Sequence, residues 1–303
     1  RPRNFDCDLA LDVIRQMLWG FFKKVVVADN CALFVNGVFE NYQTLDGSTL
    51  FLGAFFFTIQ IYGDFSGYSD IAIGCARLFG IDLMQNFKYP YFSRDIAEFW
   101  RRWHISLTTW FRDYIYIPLG GSRAGKWKSF RNTLVIFLVS GFWHGANWTF
   151  VAWGAYHALL FLPLLLLGQN RRYRDSVAEN SFLPSVKELT QMGATFLLVL
   201  LGWILFRSED ISQAAVYLER MFNVSLFSAP QLVGLGFGQL LLKKCFFFTA
   251  LMFVVEWIGR KQAHGLMIED LSLPVRYVIY TVLLIIIYGF DASNPQGFIY
   301  FQF

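Results

Sequence analysis

The sequence predicts an all-α, multi-pass integral membrane protein, and three observations support this fold class. Only 16% of the 303 residues are charged, against roughly 25% in an ordinary soluble domain. Hydrophobic residues make up 55% of the chain and aromatic residues 19%, and the mean hydropathy is +0.42. Long stretches also lack Asp, Glu, Lys and Arg, and a membrane-spanning helix needs about 20 mostly apolar residues. We therefore expect a bundle of helices in which residues 1–303 form one membrane-embedded domain.

Five apolar regions are predicted to supply the spanning helices: 49–62, 132–170, 189–206, 221–242 together with 245–255, and 277–290. The second region is long enough for two passes, and we expect the break between them near His144 and Gly145. Residues 16–39 are interrupted by charged side chains, so they are a weaker candidate that fits a helix lying partly in the membrane interface.

The segment 95–117 is predicted to be a re-entrant or interfacial helix. Asp95 followed by Glu98 resembles a capping box. Large side chains then recur at helical spacing and form one apolar stripe: Trp100, His104, Leu107 and Phe111. Pro118 and the pair Gly120–Gly121 are expected to end the helix.

The positive charge is concentrated in one region. Between Arg94 and Arg131 eight basic residues face three acidic ones, an excess of five that is larger than the net charge of +4 of the whole chain. The positive-inside rule makes this side cytoplasmic, and anionic headgroups would attract it. We therefore expect contact with a lipid bilayer and not with nucleic acid.

Two histidines stand in apolar surroundings, and each directly follows a tryptophan. His104 lies in "RRWHIS" and His144 in "GFWHGA". An ionisable side chain at membrane depth is costly and usually lines a functional cavity, whereas the alternative is a neutral imidazole bonded to a carbonyl. Gly145 leaves room for a substrate or, equally well, permits a helix break. His157 and His264 are interpreted as structural.

Asp64 and Asp70 follow the first apolar region and allow two interpretations. They would line a hydrophilic cavity or bind a cation, or they lie in a helix whose Gly63, Gly67 and Gly74 serve close packing. No HExxH, Walker, GxGxxG or GxSxG motif occurs in the sequence. These absences argue against a resident metal, nucleotide hydrolysis and a serine nucleophile.

Three stretches resemble the membrane-bound O-acyltransferases, and within them the alginate O-acetylation branch: "YGDFSGYSDIAIGCARLFGI", "NFKYPYFSRDIAEFWRRWHISLTTWFRDYIYIPLGG" and "GFWHGANWTFVAWGAYH". The "YIPLGG" loop favours this branch over the similar D-alanine transferases. Because family members have further helices before the point that corresponds to Arg1, we expect this chain to be the later two thirds of the family fold.

The resemblance implies that His144 is the catalytic histidine and His104 the second active-site histidine. The side chains expected to contact substrate or donor are Trp103, Trp143, Arg101, Arg102, Arg112, Asp113, Asp64 and Asp70, with the loop 123–131 as a further candidate for donor phosphates. Coenzyme A or an acyl carrier protein would bring the acetyl group as a thioester, and no tightly bound cofactor or metal is expected.

The expected setting is the bacterial inner membrane, with a polysaccharide such as alginate as acceptor and extracytoplasmic acetyl-transfer proteins as partners. Two other functions stay open. One is a proton-coupled transporter that uses the histidines and aspartates as a relay, and the other is a non-catalytic scaffold of a polysaccharide-modification complex.

Overall fold

The computed structural model describes residues 6–122, 125–232, 238–290 and 297–298. Throughout these ranges the regular structure is helical, and no strand occurs in them. The α-helices are α1 (Cys7–Phe21), α2 (Asp29–Glu40), α3 (Gly47–Leu78), α4 (Ile96–Arg102), α5 (Ile105–Phe111), α6 (Lys126–His144), α7 (Trp148–Leu166), α8 (Val186–Arg207), α9 (Ile211–Met221), α10 (Gln239–Ile258) and α11 (Leu273–Gly289).

The chain forms two compact units. Among the described residues, the first unit comprises those up to Gln85 and those from Val224 onward, and the second comprises those from Asn86 to Asn223. The expectation of one membrane-embedded domain stays a prediction.

Most of the apolar regions form helices where the sequence predicts them. The predicted break in 132–170 is confirmed, because α6 ends at His144 and α7 begins at Trp148. The predicted helix over 221–242 is wrong for its first part. A single 3-10 turn, Val224–Phe227, is the only regular structure in the described residues 222–232, and α10 begins at Gln239. Pro230 and the adjacent Asn, Ser and Gly residues explain why apolar composition did not produce a helix there.

Two described helices, α7 and α8, are long and apolar enough to cross a membrane. The shorter α11, with 17 residues, is also apolar. The all-helical architecture and these helices fit a membrane protein.

The first unit is organised by contacts between α3 and the segment α1–α2, in which a π-helix, Phe22–Ala28, joins the two α-helices. Gly20 and Gly67 face each other so closely that a Cβ on Gly20 would lie 2.6 Å from the Gly67 carbonyl oxygen. A Cβ on Gly74 would lie 2.4 Å from the Met17 side chain. The predicted packing role of the small residues in α3 is therefore confirmed.

The second unit is built around the hairpin of α6 and α7. Gly141 and Gly154 let the two helices approach, since a Cβ would lie 2.2 Å from the Phe150 carbonyl oxygen at Gly141 and 2.3 Å from the Phe137 carbonyl oxygen at Gly154. This close contact fixes the end of α6, where His144 is the last residue.

The continuous helix predicted over 95–117 is wrong. α4 ends at Arg102, Trp103 is extended, and His104 has a left-handed backbone with a φ of 43° before α5 begins. A π-helix, Arg112–Tyr116, completes the segment. The helical spacing corresponds to α4 before the break and to α5 after it. Hydrogen bonds with another segment of the chain interrupt the helix at His104.

The start of that segment is as predicted in one respect. The Asp95 side chain caps α4 by accepting a hydrogen bond from the Glu98 backbone N–H at 2.6 Å. The Glu98 carboxylate, however, accepts hydrogen bonds from Arg94 and not from Asp95. Gly120 and Gly121 both have positive φ, of 102° and 55°, and end the segment as predicted.

Candidate functional site

His104 is held in its unusual backbone conformation by a short extended segment. The Ile105 N–H donates to the Asn86 carbonyl oxygen at 3.0 Å, and the Lys88 N–H donates to the Arg102 carbonyl oxygen at 3.0 Å. The Asn86 side chain also accepts hydrogen bonds from the Ser106 N–H and the Ser106 hydroxyl. A left-handed non-glycine residue costs free energy and persists only where its surroundings fix it. Lys88 supplies that constraint before His104, and Asn86 supplies it after His104.

His144 lies in an aromatic cage at the end of α6. The centroid of its ring is 5.0 Å from that of Phe206, 5.2 Å from that of Trp153 and 6.3 Å from that of Phe150. These rings come from α7 and α8, so two neighbouring helices enclose one side of the imidazole. Gly145 ends α6, and a Cβ on it would lie 2.6 Å from the Phe150 ring. Its position therefore supports the helix-break interpretation.

Trp143 brings the two histidines into one site. Its ring centroid lies 5.0 Å from that of His144 and 6.3 Å from that of His104. Trp143 is 53% exposed, and both imidazoles are partly exposed. The α4–α5 break and the end of α6, which are 40 residues apart in sequence, thus present two imidazoles at one accessible aromatic surface.

The electrostatic state of His104 follows from its surroundings. Burial lowers the pKa of His104 from 6.5 to about 4, because desolvation disfavours the charged imidazolium. The Ser106 hydroxyl lies 3.4 Å from Nδ1 of His104. At neutral pH the ring is therefore neutral and carries one N–H donor and one acceptor nitrogen.

Three predicted residues that precede His104 have different surroundings. Trp103 is 2% exposed and packs against Phe99 and Trp203, with ring centroids 5.5 Å and 4.9 Å away. Arg102 is buried and forms an ion pair with Glu98 at 2.7 Å. Arg101 is exposed and donates hydrogen bonds to the carbonyl oxygens of Asn170 and Tyr173. Of the three, only Arg101 presents its side chain at the surface.

Arg112 and Asp113 pair with each other. Nε of Arg112 donates to Oδ1 of Asp113 at 2.7 Å, and its terminal nitrogen donates to Oδ2 at 3.1 Å. Both side chains are exposed at the π-helix. Within the described residues no contact joins either of them to the two histidines. Arg123, at the start of the predicted basic loop, lies outside the described residues.

Asp64 and Asp70 lie in the first unit, where each is paired with a lysine of the π-helix. Lys24 Nζ is 2.5 Å from Asp64 and 2.8 Å from Asp29, and Lys23 Nζ is 2.7 Å from Asp70. Gln16 donates a further hydrogen bond to Asp70 at 2.9 Å. These largely buried charges neutralise each other between the π-helix and α3. Their predicted contact with substrate stays a prediction.

The other two histidines pack as structural residues, as expected. His157 is fully buried in α7 against Trp100 and Trp153, with ring centroids 5.0 Å and 5.2 Å away. His264 is buried in the first unit, 2.9 Å from Asp12. No group of three or more potential metal ligands occurs among the residues that the structure describes.

Sequence reasoning missed two residues that organise the site. Asn86 is the first residue of a stretch that carries the family resemblance, but only the fold shows that it reaches the residues beside His104. Trp153 contacts His144 directly. Its position four residues before His157, on the face of α7 that meets α6, was the sequence pattern that could have predicted this contact.

Comparison with known proteins shows what this chain is similar to. Residues 31–177 match the model of the membrane-bound O-acyltransferase family. The chain is 41% identical over 245 residues to the probable alginate O-acetylase AlgI of Pseudomonas aeruginosa, a match that covers 79% of this chain and 45% of the relative. It is 38% identical over 206 residues to the peptidoglycan O-acetyltransferase of Helicobacter pylori, covering 68% of this chain and 38% of the relative.

A more distant relative is the teichoic acid D-alanyltransferase of Bacillus subtilis, with 28% identity over 214 residues, 67% of this chain and 52% of the relative. The chain thus spans about half or less of the length of the curated relatives it matches. The matched region contains His104, Trp143 and His144, and the identity of about 40% extends over most of the chain. The chain belongs to the membrane-bound O-acyltransferase family.

Proposed function

We propose that this chain carries the acyl-transfer site of a membrane-bound O-acetyltransferase that acts on a polysaccharide. The observation that supports the proposal most directly is the meeting of His104 and His144 at the exposed ring of Trp143. The relatives named as alginate O-acetylase and peptidoglycan O-acetyltransferase favour acetyl as the acyl group and a polysaccharide as the acceptor.

The chemistry that this arrangement supports is thioester acyl transfer. His144 removes the proton from an acceptor hydroxyl, the oxygen attacks the carbonyl carbon of the thioester, and the carbon–sulfur bond breaks. The thiolate then takes the proton back from His144. General-base help of this kind typically contributes about 10²- to 10⁴-fold in rate.

His104 serves as a hydrogen-bond donor in this scheme. A neutral imidazole N–H, fixed by the Asn86 contacts, stabilises the negative charge that develops on the carbonyl oxygen. The aromatic cage around His144 limits access of water, which strengthens that interaction and protects the thioester from hydrolysis.

The proposed setting follows from charge and hydropathy. The basic side of the second unit faces the cytoplasm, where coenzyme A or an acyl carrier protein supplies the thioester. The acceptor is an extracytoplasmic polysaccharide such as alginate, reached directly or through partner acetyl-transfer proteins. The protein resides in the bacterial inner membrane and crosses it several times, with α7 and α8 among its spans.

The test compares polysaccharide O-acetyl content in cells that carry the intact protein, His144→Ala or His104→Ala, with membrane levels matched by blotting. We expect His144→Ala to abolish acetylation and His104→Ala to reduce it strongly. His264→Gln is the matched control, because it removes a histidine from the first unit and should leave acetylation unchanged. Full acetylation in His144→Ala at matched levels would contradict the proposal and favour a non-catalytic scaffold.

A further inference from the structure

The second unit contains a basic cleft that takes no part in the proton transfers proposed above. Its volume is about 420 Å³, which falls in the range of small-molecule sites. Five of its seven lining residues are cationic: Lys88, Arg101, Arg102, Arg171 and Arg174, with Tyr173 and Ser176 completing the wall. We call this feature the basic cleft.

Three separate stretches of chain build the basic cleft. Lys88 comes from the extended segment that holds His104, Arg101 and Arg102 come from the end of α4, and the remaining residues come from the loop after α7. Arg101 ties these parts together by donating to the carbonyl oxygens of Asn170 and Tyr173, and Arg102 donates to those of Lys88 and Asp175. The wall is therefore fixed by hydrogen bonds from both arginines to the backbone around them.

The charge of the basic cleft is largely uncompensated. Arg102 is neutralised by Glu98, and the Asp175 carboxylate pairs with Arg94. Lys88, Arg101, Arg171 and Arg174 form no ion pair with any acidic side chain in the described part of the chain. Desolvation lowers the pKa of Arg101 below its usual value, although the nearby Asp95 and Glu98 carboxylates offset part of this effect. A cluster of like charges held together in this way is stabilised by an anion.

We infer that the basic cleft binds a soluble ligand that carries at least two phosphate groups. Arginine presents a planar fork of donors that matches phosphate oxygens, and the three arginines that line the cleft without a carboxylate partner lie beside Lys88 and Tyr173. Four unpaired cations match the charge of two or three phosphates better than that of the single phosphodiester of a common lipid headgroup.

This inference deepens the proposed function, on which its biological meaning rests. Coenzyme A carries a diphosphate and a separate phosphate, so the basic cleft would hold the carrier end of the thioester donor. Arg101 and Arg102 directly precede the Trp103–His104 break, so the cleft and the candidate catalytic histidine share one short segment of chain.

The test is calorimetric titration of coenzyme A into the purified intact protein in detergent. We expect the double variant Arg171→Gln/Arg174→Gln to weaken coenzyme A binding by about 10- to 100-fold, as the loss of one or two charge-assisted hydrogen bonds predicts. The matched control is Arg172→Gln. It removes the same charge from the same loop, but Arg172 stacks on Tyr173 outside the cleft, so binding should be retained.

Further arms separate the possible ligands and the two proposals. Pantetheine, which has no phosphate, should not bind, and inorganic phosphate should compete weakly. Protein in nanodiscs of phosphatidylcholine or phosphatidylglycerol should bind coenzyme A equally, whereas competition by phosphatidylglycerol would assign the cleft to a lipid headgroup and overturn the inference. Equal weakening by Arg172→Gln, or no binding to the unmodified protein, would also overturn it. His144→Ala should still bind coenzyme A. The binding result can therefore be judged even if the acyl-transfer proposal fails.

Discussion

The Asn86 side chain caps α5 from another segment by accepting two hydrogen bonds from Ser106, one from its backbone N–H and one from its hydroxyl. The residue at the N-cap position itself, His104, makes no side-chain cap hydrogen bond. Asn86 therefore satisfies the helix terminus in place of the His104 side chain. The N-cap position of a helix is usually occupied by Ser, Thr, Asp or Asn, because these side chains can accept a hydrogen bond from the first turn.

Replacing Asn86 by alanine should misplace His104 without unfolding the protein. Loss of a cap costs about 1 kcal/mol, and a displacement of about 1 Å at a catalytic group is enough to reduce the rate by about 100-fold. We expect reduced O-acetylation at normal membrane levels. Asn86→Asp keeps the acceptor oxygens and should recover part of the activity. Equal activity in Asn86→Ala and the unmodified protein would show that the cap does not position His104.

Gly141→Ala should separate α6 from α7 and move His144. The new Cβ would lie 2.2 Å from the Phe150 carbonyl oxygen, and backbone atoms of a packed helix cannot give way by that distance. The expected result is a lower midpoint of thermal unfolding in detergent, together with loss of acetylation. Gly193→Ala in α8 is the matched control, since nothing lies within 4 Å of the Cβ that it adds. A Gly141→Ala protein as stable and active as the control would mean that the helix approach is looser than described.

The sequence predicted the structure best where the local residue pattern alone determines the local fold. The apolar region 132–170 with a histidine and a glycine at its centre predicted the hairpin of α6 and α7, because an apolar run longer than one span must turn. The small residues of α3 predicted close helix packing, because glycine lets neighbouring helices approach. The motifs around His104 and His144 predicted both as site residues through family resemblance, and the fold places both rings beside Trp143.

Sequence reasoning failed where distant segments decide the local structure. Trp100, His104 and Phe111 have helical spacing, yet hydrogen bonds from Asn86 and Lys88 break the helix between them. The stretch 168–188 reads as a polar loop, and nothing local shows that Arg171 and Arg174 meet Lys88 across a cleft. Such contacts depend on the chain path and not on periodicity, so pattern analysis cannot find them.

Glu98→Gln should destabilise the second unit strongly. The Glu98 carboxylate is fully buried and accepts hydrogen bonds from Arg94 at 2.8 and 3.1 Å and from Arg102 at 2.7 Å. Removing its charge leaves two buried guanidinium groups with too little compensation, and breaking a buried pair in this way costs about 3–5 kcal/mol. We expect a lower unfolding midpoint and lower membrane levels. Glu219→Gln, on an exposed position of α9, is the control and should change neither quantity.

The lowered pKa of His104 predicts a specific response to pH. Burial lowers this pKa from 6.5 to about 4, so the folded protein keeps the ring neutral while the unfolded chain takes up a proton as the pH falls below 6.5. The contribution of His104 to stability is therefore fully present above pH 6.5, is lost progressively as the pH falls to about 4, and changes no further below that value. A neutral ring across this window also keeps the same donor and acceptor for catalysis.

Hydrogen–deuterium exchange at the imidazole C2 position, followed by mass spectrometry of a peptide that contains His104 and no other histidine, measures this pKa directly. We expect the midpoint for His104 in the folded protein to lie more than one unit below that of the same peptide after denaturation. A midpoint near 6.5 in the folded protein would mean that water reaches the ring freely. The imidazole would then be largely protonated at mildly acidic pH, and its assignment as a neutral hydrogen-bond donor at the acyl-transfer site would be wrong under those conditions.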